Sequence, residues 1–159
     1  MMKKIALAAS SVIVASAFTA SMAAAQVGPG NYVATTPGAQ FLAVEQSTAL
    51  QCEAELNITL TSVSSGSVTS GDLSPGDFLC AIVNLGSFNW PVSIGSYTGG
   101  VAPITISGVS ASTILGTCSG GTLTGTVNSS TGVVTITSSS GWTSTPSGYN
   151  CSVTGQLTL

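Results

Sequence analysis

The chain has 159 residues and only 4% of them are charged, two Lys/Arg against five Asp/Glu with no His, for a formal net charge of −3. The two cations are Lys3 and Lys4, so beyond residue 25 every charged side chain is an acid: Glu45, Glu53, Glu55, Asp72 and Asp77. Such a chain cannot neutralise phosphates, which argues against nucleic acid and anionic lipid as partners, and it has no imidazole to activate a serine or cysteine nucleophile.

The first residues read as an address. Lys3 and Lys4 make a basic start, residues 5–18 are apolar and small, and Ala23-Ala24-Ala25 offers a cleavage site before Gln26. That is the pattern of a secretory signal peptide over residues 1–25. No later apolar run is long enough for a membrane-spanning helix. The turn signals Gly28-Pro29-Gly30 and Pro37-Gly38 predict a flexible arm over residues 26–39. A single domain over 40–159 then begins with a strand near residues 40–46.

Cys52, Ala54, Leu56, Ile58 and Leu60 alternate with Glu53, Glu55, Asn57, Thr59 and Thr61, the signature of a half-buried strand. Ser64-Ser65-Gly66 turns it, and residues 70–77 form a second loop. The richest apolar run beyond residue 25 follows at 78–94, and it opens with residues 78–85. Phe78, Cys80 and Ile82 fall on one face, and Leu79, Ala81, Val83 and Leu85 on the other, so this run reads as a central strand covered on both sides. Trp90, Val92 and Ile94 share a face, and Pro91, which lacks an N–H, marks a strand start or an edge. Ile104 and Ile106 alternate with Thr105 and Ser107, and residues 109–115 continue as another strand.

Leu123 and Val127 lead into a turn at 128–132, from which Val134 and Ile136 return. After a polar loop over 138–150, Cys151, Val153, Leu157 and Leu159 form a closing strand. Short strands separated by Gly and Ser/Thr turns, without helical periodicity, predict an all-β fold. A two-sheet antiparallel sandwich is favoured over a barrel.

Four cysteines, Cys52, Cys80, Cys118 and Cys151, in a chain expected to be exported imply disulfides. Three pairings exist, and 52–80 with 118–151 is favoured because each closes a hairpin-sized segment. The loop-entropy model gives each bridge roughly 3.5–4 kcal/mol. Zinc is the competing use of four thiols, but there is no C-x-x-C and no His to assist.

Paired carboxylates are the remaining route to catalysis. Glu53 and Glu55 lie two apart on one strand face, about 7 Å between Cβ atoms, near the separation glycoside hydrolysis uses. They point to solvent with no apolar pocket to raise a pKa, so they read as solubilising charges. Asp72 and Asp77 bracket a Pro-Gly turn. Two acids are too few for a calcium site and read as turn formers. The Asn-x-Ser/Thr triplets at Asn57, Asn128 and Asn150 are weak signals in a Ser/Thr-rich chain. No catalytic residue, metal site or cofactor is implied.

The apolar residues carry more. If one face of the 78–85 run meets the core, then Leu79, Val83 and Leu85, with Phe88 and Trp90 nearby, face something else. Either the N-terminal arm or the 138–150 loop covers them, or they form an exposed patch for a hydrophobic surface, a partner or a second copy.

The ordered segments Leu50-Gln-Cys52, Leu79-Cys80, Asn84-Leu85, Trp90-Pro91, Gly116-Thr-Cys118 and Cys151-Ser-Val-Thr-Gly-Gln-Leu157 resemble the alkane-oxidation activator proteins (PraB-like) of Gram-negative bacteria. The similarity covers nearly all of the chain after residue 25. It implies an exported accessory protein, extracellular, at the cell surface or periplasmic, that promotes growth on long-chain alkanes without catalytic residues. The other reading is a structural subunit of a surface filament or biofilm matrix, joined by strand addition through residues 26–46.

Overall fold

A computed structural model describes residues 26–159 apart from 38–40, 46, 47, 75 and 149. The signal peptide expected over 1–25 lies outside the described residues. Alternation dictates most of the strands. In β3 (Thr48–Leu60), Cys52, Ala54, Leu56, Ile58 and Leu60 are all buried, while Glu53 and Glu55 between them are exposed. The same one-sided burial sets β6 (Trp90–Ile94), with Trp90, Val92 and Ile94 inside, and β7 (Val101–Ser112), with Ala102, Ile104 and Ile106 inside. It recurs in β8 (Thr117–Asn128), β9 (Val133–Ser140) and β11 (Ser152–Thr158), through Leu123, Val127, Val134, Ile136, Val153 and Leu157. Sequence and burial agree wherever the period is two.

The strands do not form the expected sandwich. With β1 (Gly30–Thr35) and β4 (Ser65–Ser74) they pair antiparallel in the order β8-β9-β11-β1-β3-β4-β6-β7, and β7 pairs back onto β8. The result is a closed eight-stranded barrel around one apolar interior. A sandwich and a barrel ask for the same inward-outward alternation, and they differ only in whether the outermost strands meet. Here the pairing that local patterns do not encode joins the first strand to the last, β1 to β11; β7 and β8 are neighbours in sequence. Register shifts at Asn57/Ile58 in β3, between Ile106 and Ala111 in β7, and at Thr124/Gly125 in β8 mark where the sheet bends toward closure.

The expected arm is also corrected. Residues 30–35, assigned to a flexible arm over 26–39, are β1, which pairs along its whole length with residues 55–60 of β3. Ala34 is fully buried, Val27 joins the core, and the Tyr32 hydroxyl donates to the Gly28 carbonyl at 2.7 Å. The two Gly/Pro turn signals bracket a strand instead of belonging to one loop. The folded unit therefore starts before residue 40. The strand expected near 40–46 is present as β2 (Phe41–Glu45), which lies in line with β1 and, like it, between β3 and β11.

The largest local departure is the 78–85 run. It forms a short 3-10 helix, Phe78–Ile82, and then the three-residue strand β5 (Asn84–Gly86), which pairs with β7. Buried Cys80 and Val83 are three residues apart, the 3-10 repeat, while Phe78 is 82% exposed. The start of the helix is pinned to β3: Asp77 N donates to the Gln51 carbonyl at 2.9 Å, and Gln51 N donates to Asp77 Oδ2 at 2.8 Å. Next to this clasp Cys80 is bridged to Cys52. In a run apolar at almost every position, a period of two and a period of three fit equally well; the tether to β3 decides between them.

Both disulfides have the favoured pairing, Cys52–Cys80 and Cys118–Cys151, with Cα separations of 5.6 and 6.0 Å. Around Cys52–Cys80 a second, smaller apolar cluster forms with Leu50 and Val83. On the outer surface Glu55 stands directly opposite Asp72 across β3 and β4.

Two expectations follow. A Cβ at Gly125 would collide with the Thr135 carbonyl of β9, whereas one at Gly86 meets open space. Gly125→Ala should lower stability by about 1–3 kcal/mol in urea unfolding, against no more than about 0.5 for Gly86→Ala. Glu55→Lys replaces a facing like-charge pair by an opposite one and should raise stability by about 0.2–1 kcal/mol at low salt, the gain shrinking as salt is added.

Candidate functional site

Strand register places a distinctive set of residues at one end of the barrel. The start of β3, the end of β4, the 3-10 helix, β5, the end of β7, the start of β8 and the start of β11 all lie there. So does β10 (Thr143–Thr145), paired to residues 117–119 of β8. Both disulfides are at this end. The opposite end carries the turns at 61–64, 95–100 and 129–132.

Trp90 anchors the interior below the disulfide end. Its indole N–H donates to the Gly86 carbonyl at 2.9 Å, and Phe88 stacks on it with centroids 4.8 Å apart at 28°. Ser87 and Asn89, both with positive φ, turn the chain so that Phe88 folds back over Trp90. Above them lies a partly enclosed cavity of about 40 Å³. Its floor is Leu56, Trp90, Ile106 and Leu123, all buried, and its mouth includes the half-buried Leu73, Leu85 and Trp142. No polar side chain lines it except through the indole edges of the two tryptophans.

Of the residues expected to form an apolar patch, Val83, Leu85 and Trp90 line this cavity, Leu79 packs on the Cys52–Cys80 cluster, and Phe88 rests on Trp90. The structure brings them together, but Val83 and Trp90 point inward and the other three are half-buried. Cover comes in part from the segment expected as a loop over 138–150, of which 138–140 end β9 and 143–145 are β10. Its Trp142 packs against Gly121, where an added Cβ would lie 2.5 Å from the ring, and joins the cavity wall. The Trp142 indole N–H is buried with no acceptor among the described residues.

Other side chains at this end reach solvent. Phe78, Ile114 and Leu115 are 82%, 84% and 57% exposed. Ile114 and Leu115 form the tip of the β7–β8 hairpin, closed by Thr113 N donating to the Gly116 carbonyl at 2.8 Å. Reading 109–115 as continuous strand hid that tip. Its signal was Gly116, two polar residues after the last alternating position being followed by an apolar pair and a glycine. Phe78 was hidden by its assignment to the core strand.

Glu53 and Glu55 project from the outer face of β3, and Asp77 is engaged by the Gln51 amide as a loop clasp. Asn57 bonds Ser70 across strands, and Asn128 Oδ1 accepts from Ser130 N and Thr131 N in the β8–β9 turn. Among the described residues no group of three or more His, Cys, Asp or Glu could hold a metal ion, and no helix is long and apolar enough to cross a membrane.

No curated protein and no solved structure gives a significant match to the chain. A family model described as "Alkane oxidation protein activator PraA/PraB-like" matches residues 2–159. The match spans essentially the whole sequence, and the chain belongs to the PraA/PraB-like family of alkane oxidation activators.

Proposed function

We propose that this protein is an exported, non-enzymatic accessory that helps cells reach and grow on hydrophobic substrates such as long-chain alkanes, and that it acts by apolar contact at the disulfide-bearing end of the barrel. The observation that carries this reading is the exposure of Phe78, Ile114 and Leu115 at that end. Leu79, Val83, Leu85, Phe88 and Trp90 form its apolar backing. The family description supplies the substrate class. Two disulfides and the leader-like pattern of residues 1–25 support export.

The magnitude suits a reversible contact. Fully burying a large apolar side chain contributes about 1.5–3 kcal/mol, so three such side chains give attachment of several kcal/mol, enough to adsorb and weak enough to release. Asp77 is a charged side chain exposed beside Phe78, so the contact must leave its carboxylate in solvent.

The structural-subunit reading has less support. Its donor segment, residues 26–46, contributes β1 and β2 to the chain's own barrel between β3 and β11. Donation to another copy would first have to empty that slot.

Two measurements test the proposal. Phe78→Ser and Ile114→Ser, both at exposed positions, should leave the unfolding midpoint nearly unchanged yet slow the fall of hexadecane–water interfacial tension; tension curves matching wild type would remove this end from the account. A strain lacking the protein should lag on hexadecane and grow normally on a soluble carbon source. Equal growth on both would reject the alkane role.

A further inference from the structure

The exposed rim explains adsorption but not selectivity, since any grease would meet it alike. The cavity behind it has a definite shape and chemistry. Its walls are aliphatic and aromatic carbon from seven strands, with no charged residue and no hydroxyl among the described lining side chains. An apolar cavity of this kind stays dry and takes apolar guests. Its volume of about 40 Å³ exceeds the roughly 10–15 Å³ that one water molecule needs and falls well short of the 150 Å³ or so that holds benzene. The guest is therefore narrow and enters by an end.

Resting on the proposed apolar-contact function, we infer that the cavity is a binding site for the terminal methyl end of an unbranched alkyl chain. About two or three carbons lie between Trp90 and Trp142, and the rest of the chain runs out past Leu73 and Leu85 toward the rim. A ring or a branched end is too wide to follow. A polar head group finds no partner on the lining and stays outside. Long-chain n-alkanes satisfy both conditions from either end.

The protein carries its own reporter. Its two tryptophans, Trp90 and Trp142, both line the cavity. Disulfide-intact protein titrated with dissolved 1-bromopropane, short enough that its bromine stays beside the indoles when its methyl end is bound, should show saturable quenching of tryptophan fluorescence by the heavy atom. The quenching should be reversed by n-hexane, with cyclohexane about tenfold weaker as a competitor. Ala111 lies in the cavity wall, so Ala111→Phe fills the space and should abolish saturation.

Quenching that rises linearly without saturating, or that cyclohexane reverses as well as n-hexane does, would overturn the inference. So would saturation that survives in folded Ala111→Phe. If that variant fails to fold, the wild-type competition decides alone. The two proposals fail separately. Loss of saturable quenching with adsorption still dependent on Phe78 and Ile114 removes the cavity site and leaves the surface role. Saturable, linear-chain-selective binding with normal growth of the deletion strain on hexadecane keeps the site and removes the role.

Discussion

The pairing of the last strand, β11, with the first two, β1 and β2, is the contact on which the rest of this molecule depends. It turns an alternating sheet into a ring, so that a single apolar interior forms and the long strands have neighbours on both sides. Edges are usually guarded by charge, above all by lysine. Beyond residue 25 this chain has no basic side chain with which to guard one. Closure replaces electrostatic protection with geometry. The short strands β5 and β10, three residues each, are what remains at the margins.

A closed barrel has two ends, and here they differ. One end is finished by turns rich in Ser, Gly and Thr. The other is held by Cys52–Cys80, Cys118–Cys151 and the Asp77–Gln51 clasp, which together fix a short helix, a hairpin tip and a loop around the barrel mouth. Covalent anchoring matters because these pieces bury little of their own. Phe78, Ile114 and Leu115 stay in solvent, and free exposure of such side chains on loose loops would invite collapse onto one another or onto the barrel. The bridges keep the apolar end presented.

Much of this was legible in the sequence, and the reasons for the rest are particular. The faces of β3, β6, β8, β9 and β11 follow from alternation that Glu53, Glu55, Ser93 or Thr135 interrupt at every second position. The disulfide partners follow from loop size. β1 was concealed because Gly28-Pro29-Gly30 and Pro37-Gly38 flank only six residues, too few to show a period against so much punctuation. The 78–85 run was misread because nearly uniform hydrophobicity carries no phase, and the clasp that sets the phase joins Asp77 to Gln51, 26 residues away. Of the cavity, Val83, Leu85 and Trp90 were named in advance. Trp142 was seen only as part of a polar loop, since its place against Gly121 depends on how β8 and β10 pair.

The account's central claim is that one end of the barrel meets hydrocarbon. Hydrogen–deuterium exchange on protein adsorbed to hexadecane droplets, compared with free protein, reads that orientation directly. Protection should be gained at residues 76–86 and 112–117, with the turns at 61–64, 95–100 and 129–132 exchanging as in solution. Protection spread evenly over both ends, or concentrated at the opposite turns, would contradict it.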